Sequence, residues 1–489
     1  MAFPWKNKPT SIQLNAIKRA WKQRNFALFH AMGAGKTFTT INLAAARYMT
    51  RVPEQKIGLL IIICPSPIKS VWGVELEKHC PCPFSYHAYE SGGDASLARW
   101  WKNVSGDALN VLAIGVEALS QGKAYDRVME IIKEFRTRFP YWGIMAAADE
   151  SSRIKTHKAT RSKKAHKIAH QCDFRLILTG TPITQGYQDL FSQFWFLDPN
   201  IIGMKSFILF KNMYCIQGGF ENREIIGYQN TDKLTKSISP YCDIVTKEEA
   251  MPELSPKNYA SPIMVQPTAP QKKAMKQLKD DMMAELQGRE LTVSQVMDRL
   301  TRYQQICGGF LPYDNEENGY SIEPIEGGNP KMGALLDLCE SIYETGSKVI
   351  IWARFRPELE LIASKLRSLY GVDSVAEFHG GIDERDRPNQ TVNFETSKRC
   401  RFMVANPTVG GMGQTWVAAS YTIYYSNTFS YEDRMQSEDR NHRKGQRSVV
   451  TYYDIVMDVP ADKMILRALA KKGDVANEFK EGVKNVEFW

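Results

Sequence analysis

Short apolar runs alternating with helix-length stretches dominate this chain, and they leave few folds open to it. "FALFH" and "IGLLIIIC" read as buried strands, with "TFTTINLAAARYM" a helix between them. "LNVLAIG", "WGIMAAAD" and "FRLILTG" continue the series, separated by segments long enough for crossover helices. Such a series builds a parallel sheet covered on both faces. After about residue 330 the alternation returns, with "KVIIWA", a helix from Pro357, "SVAEFHG", another helix, "RFMVAN", "YTIYYS" and "VVTYYDIV". The prediction is two α/β sheets, and a chain of 489 residues is long enough to need two or three cores.

Between the two series the period changes. Met275, Leu278, Met282 and Leu286 fall at helical spacing, as do Val293, Val296, Met297, Leu300 and Tyr303. Both stripes read as packing surfaces in a helical insertion over about 268–325, near a Gly/Asn/Glu-rich loop, "YDNEENGYSIEPIEGGNP".

Composition excludes some classes. No run approaches the length of a membrane span, and "MAFPWKNKPT" carries no apolar signal core. Nine cysteines are scattered, and Cys80 and Cys82 beside His79 lack a second ligand pair for zinc. A reducing intracellular compartment follows. The net charge of +9 points weakly to a polyanionic partner.

Four motifs carry chemistry. "MGAGKT" sits between a buried strand and a helix, the context a phosphate-binding loop requires. The strict pattern would put its first glycine at His30, so Gly33 and Gly35 must shape the loop, and His30 closes the strand beneath it. Backbone N–H groups would cradle phosphates, Lys36 would reach the β and γ positions, and Thr37 would hold Mg. "GIMAAADESS" places Asp149 and Glu150 at a strand end, suited to Mg binding and to activating water; the plain alternative is an exposed acidic pair. "LILTGTPI" ends a strand in Thr179 and Thr181, either a sensor or a simple exit turn. "QSEDRNHRKGQ" sets Arg440 and Arg443 three apart, on one face if helical, as fingers for phosphate charge or as a solvated basic helix.

In this order, Gln13, "MGAGKT", "DESS", "LTGTPI", "GGMGQT" and "QSEDRNHRKGQ" resemble the motor core of superfamily-two helicases. The methionine in "MGAGKT", together with "LTRYQQIC", "KVIIWARF" and above all "QSEDRNHRKGQ", is similar to the Swi/Snf-like ATPases that track along double-stranded DNA. The resemblance runs from about Gln13 to Ile465. It implies two RecA-like P-loop lobes, over 1–245 and 246–489, with ATP and Mg as the bound species. Gln13 would read the adenine edge, and Met32, Gly33, Ala34, Gly35, Lys36, Thr37 and Gly413 would complete the ATP site. Asp149 and Glu150 would be the acidic pair, joined by Gln436, Arg440 and Arg443. Thr179, Thr181 and Gly411 would couple ATP to DNA. Pro65, Ser66 and Trp72 in "ICPSPIKSVWGVEL" match a DNA-contacting motif, and Lys155 and Gln414 fall in two more. Six basic residues from Lys155 to Lys167 would lie along phosphates or form a solvated helix face.

The chain departs from this pattern at His30 and Ala31, where relatives have an acidic pair, at Ser151 and Ser152, and at Gln414 and Trp416. The implied activity is that of a duplex-DNA-dependent ATPase gripping DNA by its backbone, in a compact prokaryotic or phage form. Such a protein would act as a cytoplasmic monomer, in a prokaryotic or phage-infected cell, with room for a targeting protein. The rival readings are a strand-separating helicase, for which no clear pin is visible, and a non-hydrolysing ATP-gated clamp.

Overall fold

Strands buried on both faces can satisfy their backbone groups only by pairing on both sides, and the apolar runs do so here. The computed structural model describes residues 3–219, 224–285, 293–313, 321–411 and 413–484. Two compact units result, Met1–Pro252 with Lys472–Trp489, and Glu253–Lys471.

In the first unit the strands are β1 (Asn25–His30), β2 (Ile57–Cys64), β3 (Phe84–Ala88), β4 (Leu109–Gly115), β5 (Gly143–Asp149), β6 (Phe174–Leu178), β7 (Cys215–Gly218), β8 (Glu224–Tyr228) and β9 (Cys242–Val245). Seven of them form one parallel sheet in the order β3-β4-β2-β5-β6-β1-β9. Every residue of β2 is buried, and each buried Leu or Ile side chain contributes about 1.5–3 kcal/mol. The sequence pattern missed β3, whose residues are all half-buried, and β9, which carries an aspartate. β7 and β8 form a separate antiparallel hairpin.

The second unit holds β10 (Asn258–Tyr259), β11 (Ile263–Val265), β12 (Phe310–Tyr313), β13 (Ser321–Pro324), β14 (Lys348–Trp352), β15 (Val375–Phe378), β16 (Phe402–Ala405), β17 (Ala419–Tyr424) and β18 (Thr451–Met457). Its main sheet runs β10-β18-β17-β14-β16-β15, with β11 also on β18. All of these pairings are parallel. Strand periodicity divides the core between the two faces. Val349 and Ile351 join one cluster, and Ile350 and Trp352 join the other.

The insertion forms helices Ala269–Glu285 and Val293–Cys307. Met275 packs there with Leu278, Tyr303, Ile306 and Met457. Leu286 and Met412 lie outside the described residues, as do the side chains of Met282, Val293, Val296 and Met297. The expected loop after the insertion is instead flanked by an antiparallel pair, β12 with β13. Among the described residues no helix is long and apolar enough to cross a membrane.

Candidate active site

Three loops leave the carboxyl edge of the first sheet at one level. Leu28 of β1 pairs with Leu178 of β6, which pairs with Asp149 of β5. The segments after these strands therefore emerge side by side, where ligands meet an open α/β sheet.

The loop after β1 feeds helix Lys36–Met49 and turns on Gly33 (φ 81°) and Gly35 (φ 86°), a left-handed region that side-chain-bearing residues rarely adopt. A Cβ added at Gly35 would lie 2.1 Å from Gln13 Nε2, so Gln13 rests directly on the loop. Its other amide atom is occupied in a capping box, where Oε1 accepts from the Thr10 N–H (2.9 Å). Lys36 Nζ donates to the His30 carbonyl at 3.0 Å. Ala34 is buried, Met32 and Thr37 half-buried.

Beneath the loop, His30 is fully buried with Nε2 2.7 Å from Asp243 Oδ2, and Arg19 pairs with the same carboxylate. Burial alone would raise Asp243, but His30 and Arg19 together hold it below the usual range. His30 thus closes the strand against β9 and presents only its carbonyl to Lys36.

Asp149 ends β5. Its Oδ2 accepts from the Trp72 indole N–H at 3.0 Å and its Oδ1 from the Glu150 N–H at 3.0 Å. Burial raises its pKa, opposed by the Lys36 charge and by these two donors. Glu150 sits at φ 49°, ψ 57°, one of two described non-glycine residues with positive φ. That conformation costs about 1–3 kcal/mol and persists only where neighbours enforce it.

The neighbours are visible. The buried Ser151 hydroxyl donates to Gln193 Oε1 (2.8 Å), and Gln193 Nε2 donates to the carbonyls of Pro182 (2.7 Å) and Asp189 (3.0 Å). This amide ties the acidic pair to the "TGTPI" turn. Within that turn, buried Thr179 accepts the Thr181 N–H at 3.1 Å. A Cβ on Gly180 would meet the His30 carbonyl and Met32 N–H nitrogen at 3.4 Å, so the turn lies against the phosphate loop.

The residues expected at DNA make contacts within the protein. Trp72 is 1% exposed and serves Asp149, so its ring has no surface to offer a nucleic acid. Pro65 is buried, and the Ser66 hydroxyl donates to Glu117 (2.9 Å). Lys155 Nζ donates to buried Thr184 Oγ1 at 2.6 Å. The Gln414 side chain accepts from Thr391 Oγ1 (3.2 Å). Of the six basic residues from Lys155 to Lys167, only Lys158, Lys163 and Lys167 are exposed.

In the second unit, the helix expected to carry both arginines covers Tyr431–Glu438 and stops there. Arg440 and Arg443 follow in a turn and share no helical face. They converge because Arg440 Nη1 (2.8 Å) and Arg443 Nη1 (2.9 Å) both donate to the Gln414 carbonyl. Burial lowers the Arg443 pKa. Gln436 is 2% exposed, and its backbone carbonyl accepts Arg440 Nε (2.9 Å). Gly411 must be glycine, since a Cβ would lie 2.2 Å from the Pro407 carbonyl, and Gly413 turns at φ 74°. Trp416 is a core residue, packed between Trp352 and Phe378.

A buried charge cluster anchors the arginine turn. Glu438 binds Lys257 (2.7 Å), Arg434 (2.7 Å) and the Tyr259 hydroxyl (2.6 Å), and Arg434 also pairs with Asp454 (2.6 Å). Burial opposes ionisation of Glu438, but Lys257 and Arg434 outweigh it and bring it to about 2.

Sequence reasoning missed Gln193, Asp243 and Lys257. For the first two a signal exists, a polar residue inside a mostly apolar run ("DLFSQFWFL", "CDIV"). A buried polar group of that kind must find partners.

The SNF2-related domain matches residues 12–309, and the Helicase conserved C-terminal domain matches residues 330–445. An uncharacterized ATP-dependent helicase of Mycoplasma genitalium is 25% identical over 478 residues, covering 96% of this chain and 42% of that protein. The Chromodomain-helicase-DNA-binding protein 1-like of Danio rerio is 24% identical over 431 residues, 87% of this chain and 39% of that protein. The chain thus spans about two fifths of the length of these relatives. The Sulfolobus solfataricus SWI2/SNF2 ATPase core in complex with dsDNA aligns over 99% of this chain and 95% of that one, at 18% identity and a TM-score of 0.42. With one domain of the pair alone matching more than half of its residues, this chain belongs to the SNF2-related family.

Proposed function

We propose that this chain hydrolyses ATP to move along double-stranded DNA or to displace what is bound to it. The observation that carries the reading is the convergence of Lys36, Asp149 and the "TGTPI" turn at one sheet edge, with the Lys36 charge acting on the Asp149 carboxylate. Lys36 and the helix N-terminus bind the β and γ phosphates, and Gln13 borders the base side of the loop. Glu150 orients water and accepts its proton as the γ-phosphoryl group is transferred. Gln436, Arg440 and Arg443 supply hydrogen bonds and positive charge to the phosphates. The Thr37 hydroxyl and the Asp149 carboxylate, already oriented by two N–H donors, are oxygen ligands of the kind Mg accepts beside phosphate. Bound there, the metal would neutralise charge on the nucleotide phosphates.

Gly411, Gly413, Thr179 and Thr181 are proposed to relay nucleotide state to DNA. The net charge of +9 supports a grip on phosphates, with little sequence preference. The Mycoplasma relatives support a prokaryotic setting, and a phage source and a cytoplasmic location are part of the same proposal. The test is ATP turnover with and without duplex DNA, for wild type and Lys36→Ala. Duplex DNA should accelerate wild type and Lys36→Ala should be inactive. A wild-type rate indifferent to DNA refutes the motor reading.

Strand separation is the second reading, favoured by the β7–β8 hairpin with Ile216 and Ile226 exposed. Unwinding of a forked duplex, beside displacement of a triplex strand from intact duplex, separates the two. Fork unwinding that requires Ile226 favours the hairpin as a wedge.

A further inference from the structure

The first unit carries a cleft of about 420 Å³ whose rim includes Lys158 and Lys163, two of the six basic residues read above as phosphate contacts or a solvated face. It lies between the start of helix Thr160–His170 and the start of helix Phe207–Tyr214. Its floor is aromatic, built from Phe191, Trp195 and Phe207. Its rim carries Lys158, Lys163 and Lys205, all exposed, and no carboxylate lines it. None of these lysines has an ion-pair partner among the described residues. Beside the rim, Ile208 is 70% exposed and Leu209 61%.

We propose that this cleft docks an acidic amphipathic segment of a partner protein, with apolar side chains in the floor and carboxylates on the lysine rim. The size suits one or two large anchoring side chains. Three unpaired cations around an acid-free opening give charge complementarity to a carboxylate-bearing chain. Exposed Ile208 and Leu209 select for protein over nucleic acid, because a phosphodiester backbone gains nothing from aliphatic carbon. Phe207 already stacks on His157 (centroids 4.0 Å apart, 29° between planes), and Phe191 meets it edge-on at 5.3 Å. The floor therefore accepts buried anchors better than it offers a platform for stacked bases.

The experiment uses the full chain and a fluorescein-labelled peptide with Leu and Trp on one helical face and Glu on the other, followed by fluorescence polarisation. Saturable binding is expected, weakened at least about tenfold by Ile208→Asp and by Lys205→Glu. The same peptide with Lys in place of Glu should not bind. ATP turnover of both variants should equal wild type, since neither residue belongs to the nucleotide site. Thermal melts confirm folding, and the exposed Lys205→Glu decides the matter if Ile208→Asp melts early. The proposal is overturned by absence of saturable binding, by equal binding of the Lys peptide, or by binding indifferent to both substitutions. It is also overturned if the variants weaken a single-stranded oligonucleotide and leave the peptide unchanged, which would make the cleft a nucleic-acid surface.

Discussion

Trp72 shows how far a residue's role depends on what packs over it. Its position in "PSPIKSVWGVEL" points to DNA, yet the helix Lys69–His79 turns its indole inward to Asp149. Trp72→Phe keeps an aromatic ring, smaller than the indole, and removes the donor. A hydrogen bond to a carboxylate contributes about 1.5–3 kcal/mol, so ATP turnover should fall roughly tenfold or more if that interaction is used in the transition state. The fall should appear without DNA as well as with it; a defect confined to DNA-stimulated turnover would return Trp72 to the DNA surface. Lys36, Thr37 and Asp149 were legible in the sequence because strand, loop and helix are local and fix their own geometry. Gln193 and Asp243 were not, because their partners lie 42 and 213 residues away in sequence. Pairing over such separations is decided by the order of strands in the sheet, which local pattern does not encode.

Among elements, the alternation of strands and helices was legible wherever strands are buried on both faces. It failed at β3, at β9 and at the two hairpins, where strands are short, half-exposed or carry a charge. Helical spacing also misled at Arg440 and Arg443, since the helix ends at Glu438 and a shared carbonyl brings them together. The connection from Ser151 through Gln193 to Pro182 joins two elements whose motion would have to be coordinated for turnover. Gln193→Leu is close in volume and strands the buried hydroxyl and carbonyls it served. Each of the three groups left without a partner costs about 1–3 kcal/mol, so a loss of about 3 kcal/mol or more should be measurable in urea unfolding. Stimulation by DNA should drop more than turnover in its absence, and equal losses would reduce Gln193 to a structural role.

Across the molecule, acid sensitivity should follow the Glu438 cluster. Its carboxyl is held down at about 2, below the ordinary glutamate value of 4.5, so the stabilisation is complete above about 4.5 and is lost as pH falls toward 2. Lys257→Met removes one of the two cations that depress it, and the acid transition of the second unit should move to higher pH in near-ultraviolet circular dichroism. An unmoved midpoint would show that Arg434 suffices. A phosphate grip predicts that log affinity for duplex DNA falls linearly with log salt concentration, and a flat dependence would contradict the backbone contacts proposed.

The left-handed backbone at Glu150 sets stability against chemistry over the life of a lineage. Asparagine tolerates that basin better than glutamate, so drift toward thermal robustness pulls position 150 away from the side chain proposed to activate water. Glu150→Asn should gain about 1 kcal/mol of stability and, on the proposed role, lose ATP turnover. If Glu150 activates water as proposed, retention of a glutamate at this strained position is the mark of an active ATPase.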